Sequence, residues 1–308
     1  VGVEAPASAA PTPFPGGGVS WAVGTRQEVV IDRTRPTIRF WSGHDHKIPG
    51  RRLTLTFWYP AQGVTVDGAD DGSDHADAPA AAGTFPVVAF APGFDVGPAV
   101  YERTLRAWAA AGYIVVAPEF PGSGPDGRGQ PTEDDLTQQP KDMSEAIDSV
   151  ARDSGTAGTW LDGRADLSKV AVAGHSDGGS TVVRMVLSTA YRDPRIDAAI
   201  VMSGSTLGGA YTRRPTVPLL LLSGDRDQYN DQSVFAHVYA AAHGPRAWVE
   251  VVRGRHLTPY IAVGRQPQTL RQLEIDWLDT RLGEADRRTA FRALTQRPGV
   301  TRRIAGGL

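Results

Sequence analysis

Ser176, His256 and a pair of aspartates stand in this chain at positions from which they could carry out nucleophilic catalysis. The serine lies in Gly174-His175-Ser176-Asp177-Gly178, a G-x-S-x-G pentapeptide. A hydroxyl attacks a carbonyl only weakly until a neighbouring base takes its proton, and the base needs an acid to hold its tautomer and orientation. Asp225, Asp227 and then His256 follow the serine, an order in which such groups recur. Of the seven histidines, His44, His46 and His75 precede the serine. His175 is inside the pentapeptide, His237 falls in a helical stretch and His243 at its end. His256 directly follows the apolar segment AWVEVV and is the expected base. The orienting carboxylate must reach across to the histidine loop, which favours Asp227 and leaves Asp225 as the alternative. Whichever does not serve is expected to cap its loop.

Acyl transfer through such a serine needs two N–H donors for the oxyanion. The residue after the nucleophile, Asp177, is expected to supply one through its amide, while its side chain complements the start of the following helix. The tight turn Pro92-Gly93-Phe94 is expected to supply the other through Phe94, whose ring would wall the pocket. Gly174 and Gly178 suit a strained strand-to-helix turn in which backbones approach closely. His44, His46 and His75 have no convergent carboxylates near a strand end, so no metal is expected, and the chemistry needs no cofactor.

These groups sit at the ends of elements that alternate in type. The apolar runs FPVVAFAPG, YIVVAPE, VAVAG, AAIVMSG, VPLLLLSGD and AWVEVV read as buried strands. Between them, Val100 to Gly112, Asp142 to Ser154, Gly178 to Tyr191 and Asp231 to Ala242 read as helices, and Pro267 to Leu282 closes the pattern. Earlier, QEVVID and RRLTLTFWYP read as extended. Continuous apolar strands separated by helices predict an α/β fold, a doubly wound and mostly parallel sheet with helices on both faces. Residues 1–25 are expected to be a flexible tail and 26–308 one catalytic domain.

Composition narrows the function classes. The 308 residues are 41% hydrophobic and carry a net charge of −2, which gives no electrostatic case for nucleic acid or an anionic membrane. No run of about 18 apolar residues predicts a membrane span. The absence of cysteine removes thiol catalysis, disulfides and thiolate metal sites. The Ala-, Pro- and Gly-rich start, Val1 to Gly18, reads like the beginning of an exported protein and predicts an extracytoplasmic location. The acidic stretch at 67–79 lacks the spacing of a calcium loop and is expected to be a solvated insertion.

Several segments together resemble known α/β-hydrolases: FWYPA, FPVVAFAPGF, AAGYIVVAPEFPGSG, QQPKD, VAVAGHSDGG, LLLLSGDRD and DWLDTRL. They are similar to dienelactone hydrolase-like and platelet-activating-factor acetylhydrolase-like esterases, with cutinase-like polyester hydrolases and chlorophyllases nearby. The resemblance implies Ser176, Asp227 and His256 as a triad, Phe94 and Asp177 as oxyanion donors, and a small-molecule or polymeric ester as substrate. It also has departures. Dienelactone hydrolases proper use a cysteine nucleophile, absent here. Cutinase-like polyesterases usually carry a tryptophan where this chain has SGSTLGGAYTRRPT (Ser203 to Thr216), and a C-terminal disulfide is common in them. A loop of about a dozen residues is too short for a helical cap, so a serine carboxylic ester hydrolase with an open site suited to short-chain or extended esters is expected, with a polyester hydrolase, an amidase or peptidase, and a non-catalytic binding member as the alternatives.

Overall fold

The structure, a computed structural model, describes residues 12–13, 19–63, 75–127, 129–206 and 216–307. Most of the N-terminal tail, most of the acidic 67–79 stretch and the centre of the Ser203 to Thr216 loop lie outside the described residues, and with that loop the expected absence of a cap.

Strands β1 (Thr12–Pro13) and β2 (Val19–Ser20) form a short antiparallel pair. β3 (Ala22–Asp32) then pairs along its whole length with β6 (Arg51–Ala61), so the sheet begins a few residues before the expected boundary at 26. Between them β4 (Thr37–Trp41) and β5 (His44–Ile48) make a separate hairpin. The remaining strands are β7 (His75–Ala76), β8 (Phe85–Ala91), β9 (Ile114–Glu119), β10 (Ala165–His175), β11 (Ile196–Met202), β12 (Leu219–Gly224), β13 (Arg246–Val251) and β14 (Thr301–Gly306). Among the described residues ten strands join in the order β14-β13-β12-β11-β10-β8-β9-β6-β3-β7. β9, β8, β10, β11, β12 and β13 run parallel, flanked by antiparallel β6 and β14.

Among the described residues seven α-helices accompany this sheet: α1 (Glu102–Ala110), α2 (Gln139–Gly155), α3 (Asp177–Leu187), α4 (Gln232–Ala241), α5 (Thr258–Ile261), α6 (Arg265–Leu282) and α7 (Arg288–Thr295). The strand period of two explains how one sequence serves two cores. Leu219 and Leu221 face one core with Met143, Val183 and Phe235 from α2, α3 and α4. Leu220 and Leu222 face the other with Trp108, Leu273, Trp277 and Phe291 from α1, α6 and α7. Residues buried on both faces make the strands continuously apolar, as the sequence pattern requires. This is the α/β-hydrolase fold, doubly wound and with helices on both faces.

The chain leaves β8 for β9 on one side, and β10 lies on β8's other side. That reversal opens a crevice at the carboxyl ends of β8 and β10, where open α/β sheets bind ligands. Phe94 follows β8 and Ser176 follows β10, so both sit at its mouth.

Candidate active site

Ser176 occupies the turn between β10 and α3 with φ 55° and ψ −121°. A left-handed φ on a non-glycine residue costs on the order of 1–3 kcal/mol and survives only where the surroundings impose it. Here Ser176 N–H donates to the Met202 carbonyl at 2.9 Å, and its own carbonyl accepts from Ser180 N–H at 2.9 Å. A β-carbon on Gly178 would overlap the carbonyls of Ala91 and Pro92, and one on Gly174 would overlap the carbonyl of Gly178. Both glycines are therefore required by the closeness of α3 to β8 and β10.

His256, on the loop after β13, presents Nε2 to Ser176 Oγ at 2.8 Å. Its Nδ1 lies 2.9 Å from both carboxylate oxygens of Asp227, on the loop after β12. A carboxylate only accepts, so Nδ1 carries the proton and Nε2 faces the serine hydroxyl with its lone pair. Asp225, the alternative carboxylate, is exposed, and the imidazole bonds Asp227 instead. Burial pushes the Asp227 carboxyl up. Hydrogen bonds from His256, the amides of Tyr229 and Asn230, and the Ser203 hydroxyl outweigh it and hold the group at about 2. The ring of His256 is flanked by Tyr229, at 4.8 Å between centroids, and by His175, also at 4.8 Å.

Gly93 and Phe94 approach from the β8 turn. A β-carbon on Gly93 would stand 3.3 Å from Ser176 Cβ, so the turn abuts the serine. The amides of Phe94 and Asp177 have no hydrogen-bond acceptor among the described residues, and Asp177 heads α3, where the helix dipole favours negative charge. The Asp177 side chain stands in the first turn of α3 and has a further environment. It is largely buried beside the cleft, its Oδ2 has no partner among the described residues, and burial, then Glu133, push it up to about 6.

These groups line a cleft of about 620 Å³. Phe94, Val96, Tyr229 and Leu257 supply apolar and aromatic walls, and Glu133 and Asp177 make one side acidic. Sequence reading missed Ser203 and Asn230, which brace the Asp227 loop: Asn230 Nδ2 donates to the Ser203 carbonyl at 2.5 Å. It also missed Tyr101, which reads as a core aromatic at the start of a helix. Of the histidines considered for a metal, His46 stacks on Trp41 at 3.6 Å and bonds the Trp41 carbonyl through Nε2, a structural use of the ring.

Residues 75–229, half of the chain, match the family model of the chlorophyllases. Two cutinases of Thermobifida alba, est1 and est2, are each 24% identical over 220 residues. That stretch is 70% of this chain and 67% and 66% of theirs. A solved ferulic acid esterase from Streptomyces cinnamoneus superposes with a TM-score of 0.70 over 97% of this chain and 99% of its own, at 21% identity. At that identity the superposition speaks for the fold.

Proposed function

The chain belongs to the chlorophyllase family, and from that premise we propose that it is a serine carboxylic ester hydrolase working through an acyl-enzyme. The observation that carries the reading is the 2.8 Å contact between His256 Nε2 and Ser176 Oγ, with Asp227 on the opposite ring nitrogen. In this mechanism Ser176 Oγ attacks the ester carbonyl carbon as His256 Nε2 takes the hydroxyl proton. Negative charge on the carbonyl oxygen is received by the amides of Phe94 and Asp177. The intermediate collapses as His256 gives its proton to the leaving alcohol, and Ser176 stays acylated. Water, deprotonated by His256, then attacks the acyl carbon, and Ser176 leaves with the proton returned by His256. Asp227 remains ionised throughout and stabilises the transient imidazolium.

The apolar walls of the cleft favour short-chain or extended esters. A second reading, polyester hydrolysis, draws on the cutinase relatives and on the aromatic side chains of Phe94 and Tyr229 at the mouth of the cleft. Residues 26–308 act in this reading as one catalytic domain, and the enzyme works outside the cytoplasm. No helix among the described residues is long and apolar enough to cross a membrane. The test is a chain-length panel of p-nitrophenyl esters beside a polyester film and a matched amide, each with wild type and Ser176→Ala. The reading expects a maximum at short acyl chains, little amide turnover and a loss in the variant of about 10⁴-fold or more. Full activity in Ser176→Ala would overturn it. Soluble products from the film would move the assignment to the second reading.

A further inference from the structure

His175 is buried one residue before the nucleophile, and the mechanism above gives it no task. Its Nε2 lies 2.8 Å from the backbone carbonyl of His256. A carbonyl only accepts, so this nitrogen carries the ring proton and Nδ1 keeps a lone pair. Nδ1 is 2.9 Å from the hydroxyl of Tyr101, which is therefore the donor. The same hydroxyl oxygen accepts the amide of Gly93 at 3.1 Å. The order is fixed at each link: Gly93 N–H to Tyr101, Tyr101 O–H to His175, His175 N–H to the His256 carbonyl. Burial pushes the His175 imidazole down to about 3, which keeps the ring neutral and the order intact.

The two ends of this relay meet the two halves of the site. One end is the Pro92–Gly93 peptide, next to the peptide that carries the amide of Phe94, the candidate oxyanion donor. The other is the backbone of His256, the candidate base. We propose that Tyr101 and His175 are positioning residues that set the distance between the oxyanion turn and the general base. This inference rests on the serine hydrolase reading. Two apolar rings could fill the same volume without burying polar groups that each need a partner. The hydrogen bonds hold the turn after β8, the start of α1, the end of β10 and the loop after β13 in one register.

The test measures kcat and KM on a p-nitrophenyl ester for Tyr101→Phe, with active sites counted by end-point fluorophosphonate labelling and folding checked by thermal unfolding. Removing one oxygen atom frees the Gly93 amide and lets the Phe94 donor drift. The expected result is a fall in kcat per labelled site of about ten- to a hundredfold, with KM within about twofold. His175→Leu should lose a similar factor, and adding Tyr101→Phe to it should cost little more, since one broken link already releases both ends. A merely structural role would lower stability and leave kcat per labelled site unchanged. That result in Tyr101→Phe, or losses that multiply in the double variant, would overturn the proposal; if His175→Leu does not fold, Tyr101→Phe decides alone. Ser176→Ala serves as the separate control: activity retained there overturns the parent reading, whereas activity lost there with Tyr101→Phe unimpaired overturns only the positioning role.

Discussion

Asp177 shows how one residue can carry opposing demands. Its amide is the proposed oxyanion donor, while its side chain is a part-buried carboxyl held at about 6. At pH 7 that carboxyl is mostly ionised, and Glu133 on the same cleft wall adds a second acidic side chain. No lysine or arginine is among the described residues that line the cleft. An ester whose acyl part bears a free carboxylate should therefore be cut more slowly than its neutral counterpart above pH 6. Asp177→Asn keeps the amide and removes the charge. The neutral-to-anionic ratio of kcat/KM should drop by roughly tenfold, the size of a 1.4 kcal/mol charge interaction. An unchanged ratio would mean that the substrate never comes near this wall. The sequence pattern puts Ser176 and His256 where apolar runs end, and it ranks Asp227 above Asp225 because the later position can reach across to the histidine loop. It had no access to Tyr101, Ser203 or Asn230, whose tasks arise only when loops distant in sequence meet.

At the scale of elements, a buried charge network ties the first strands to the helix layer. Arg51, at the start of β6, bonds Asp135 through Nη1 at 2.7 Å and through Nη2 at 2.8 Å, and Asp142 through Nε at 2.9 Å. Arg35 adds a contact to Asp142 at 2.9 Å. Arg51 and both carboxylates are fully buried. Burial alone would lower the guanidinium pKa, and the two carboxylates keep it above its ordinary value. Arg51→Ala leaves Asp142 to Arg35, and Asp135 to the Ile38 amide and the field of Arg39, so both buried carboxylates lose their main cation, and denaturant unfolding should report a loss of about 3–5 kcal/mol. A loss under about 1 kcal/mol would show that water or rearrangement satisfies the acids. Nothing in the pattern of residues 51–60 distinguishes Arg51 from an exposed basic residue at a strand start. The β4–β5 hairpin and β14 escaped the sequence for a related reason. His44–Ile48 and Thr301–Gly306 carry few apolar side chains, and their place is set by backbone pairing with a neighbour. The six parallel strands, buried on both faces, were legible because burial writes itself into composition.

For the whole molecule, the two cores on either face of the sheet make stability sensitive to any charge trapped between sheet and helix. Glu274 on α6 is buried against α1, where Trp108 Nε1 donates to it at 3.2 Å. Burial raises its pKa from 4.5 to about 8, against the opposing pull of Arg271. Between those values the folded chain holds a proton that the unfolded chain has released. Stability attributable to this group therefore falls as pH rises through that window. Glu274→Gln removes the titration and keeps the shape. Its thermal midpoint relative to wild type should be higher at pH 8.5 than at pH 5, and an equal offset at both pH values would contradict the assignment. The same architecture puts the cleft at the point where strand order reverses, and that global feature could be anticipated from the alternation of strands and helices alone. Which loops wall the cleft could not, since their positions depend on packing rather than on period.

The account turns on Ser176 being the nucleophile. Treatment with a fluorophosphonate, followed by digestion and mass spectrometry, tests this directly. One adduct on the peptide containing Ser176 is expected, its formation parallel to the loss of esterase activity, absent in Ser176→Ala and slowed by about 10³-fold or more in His256→Ala. An inactivated enzyme labelled at another residue, or a Ser176→Ala variant that still takes the label, would contradict it.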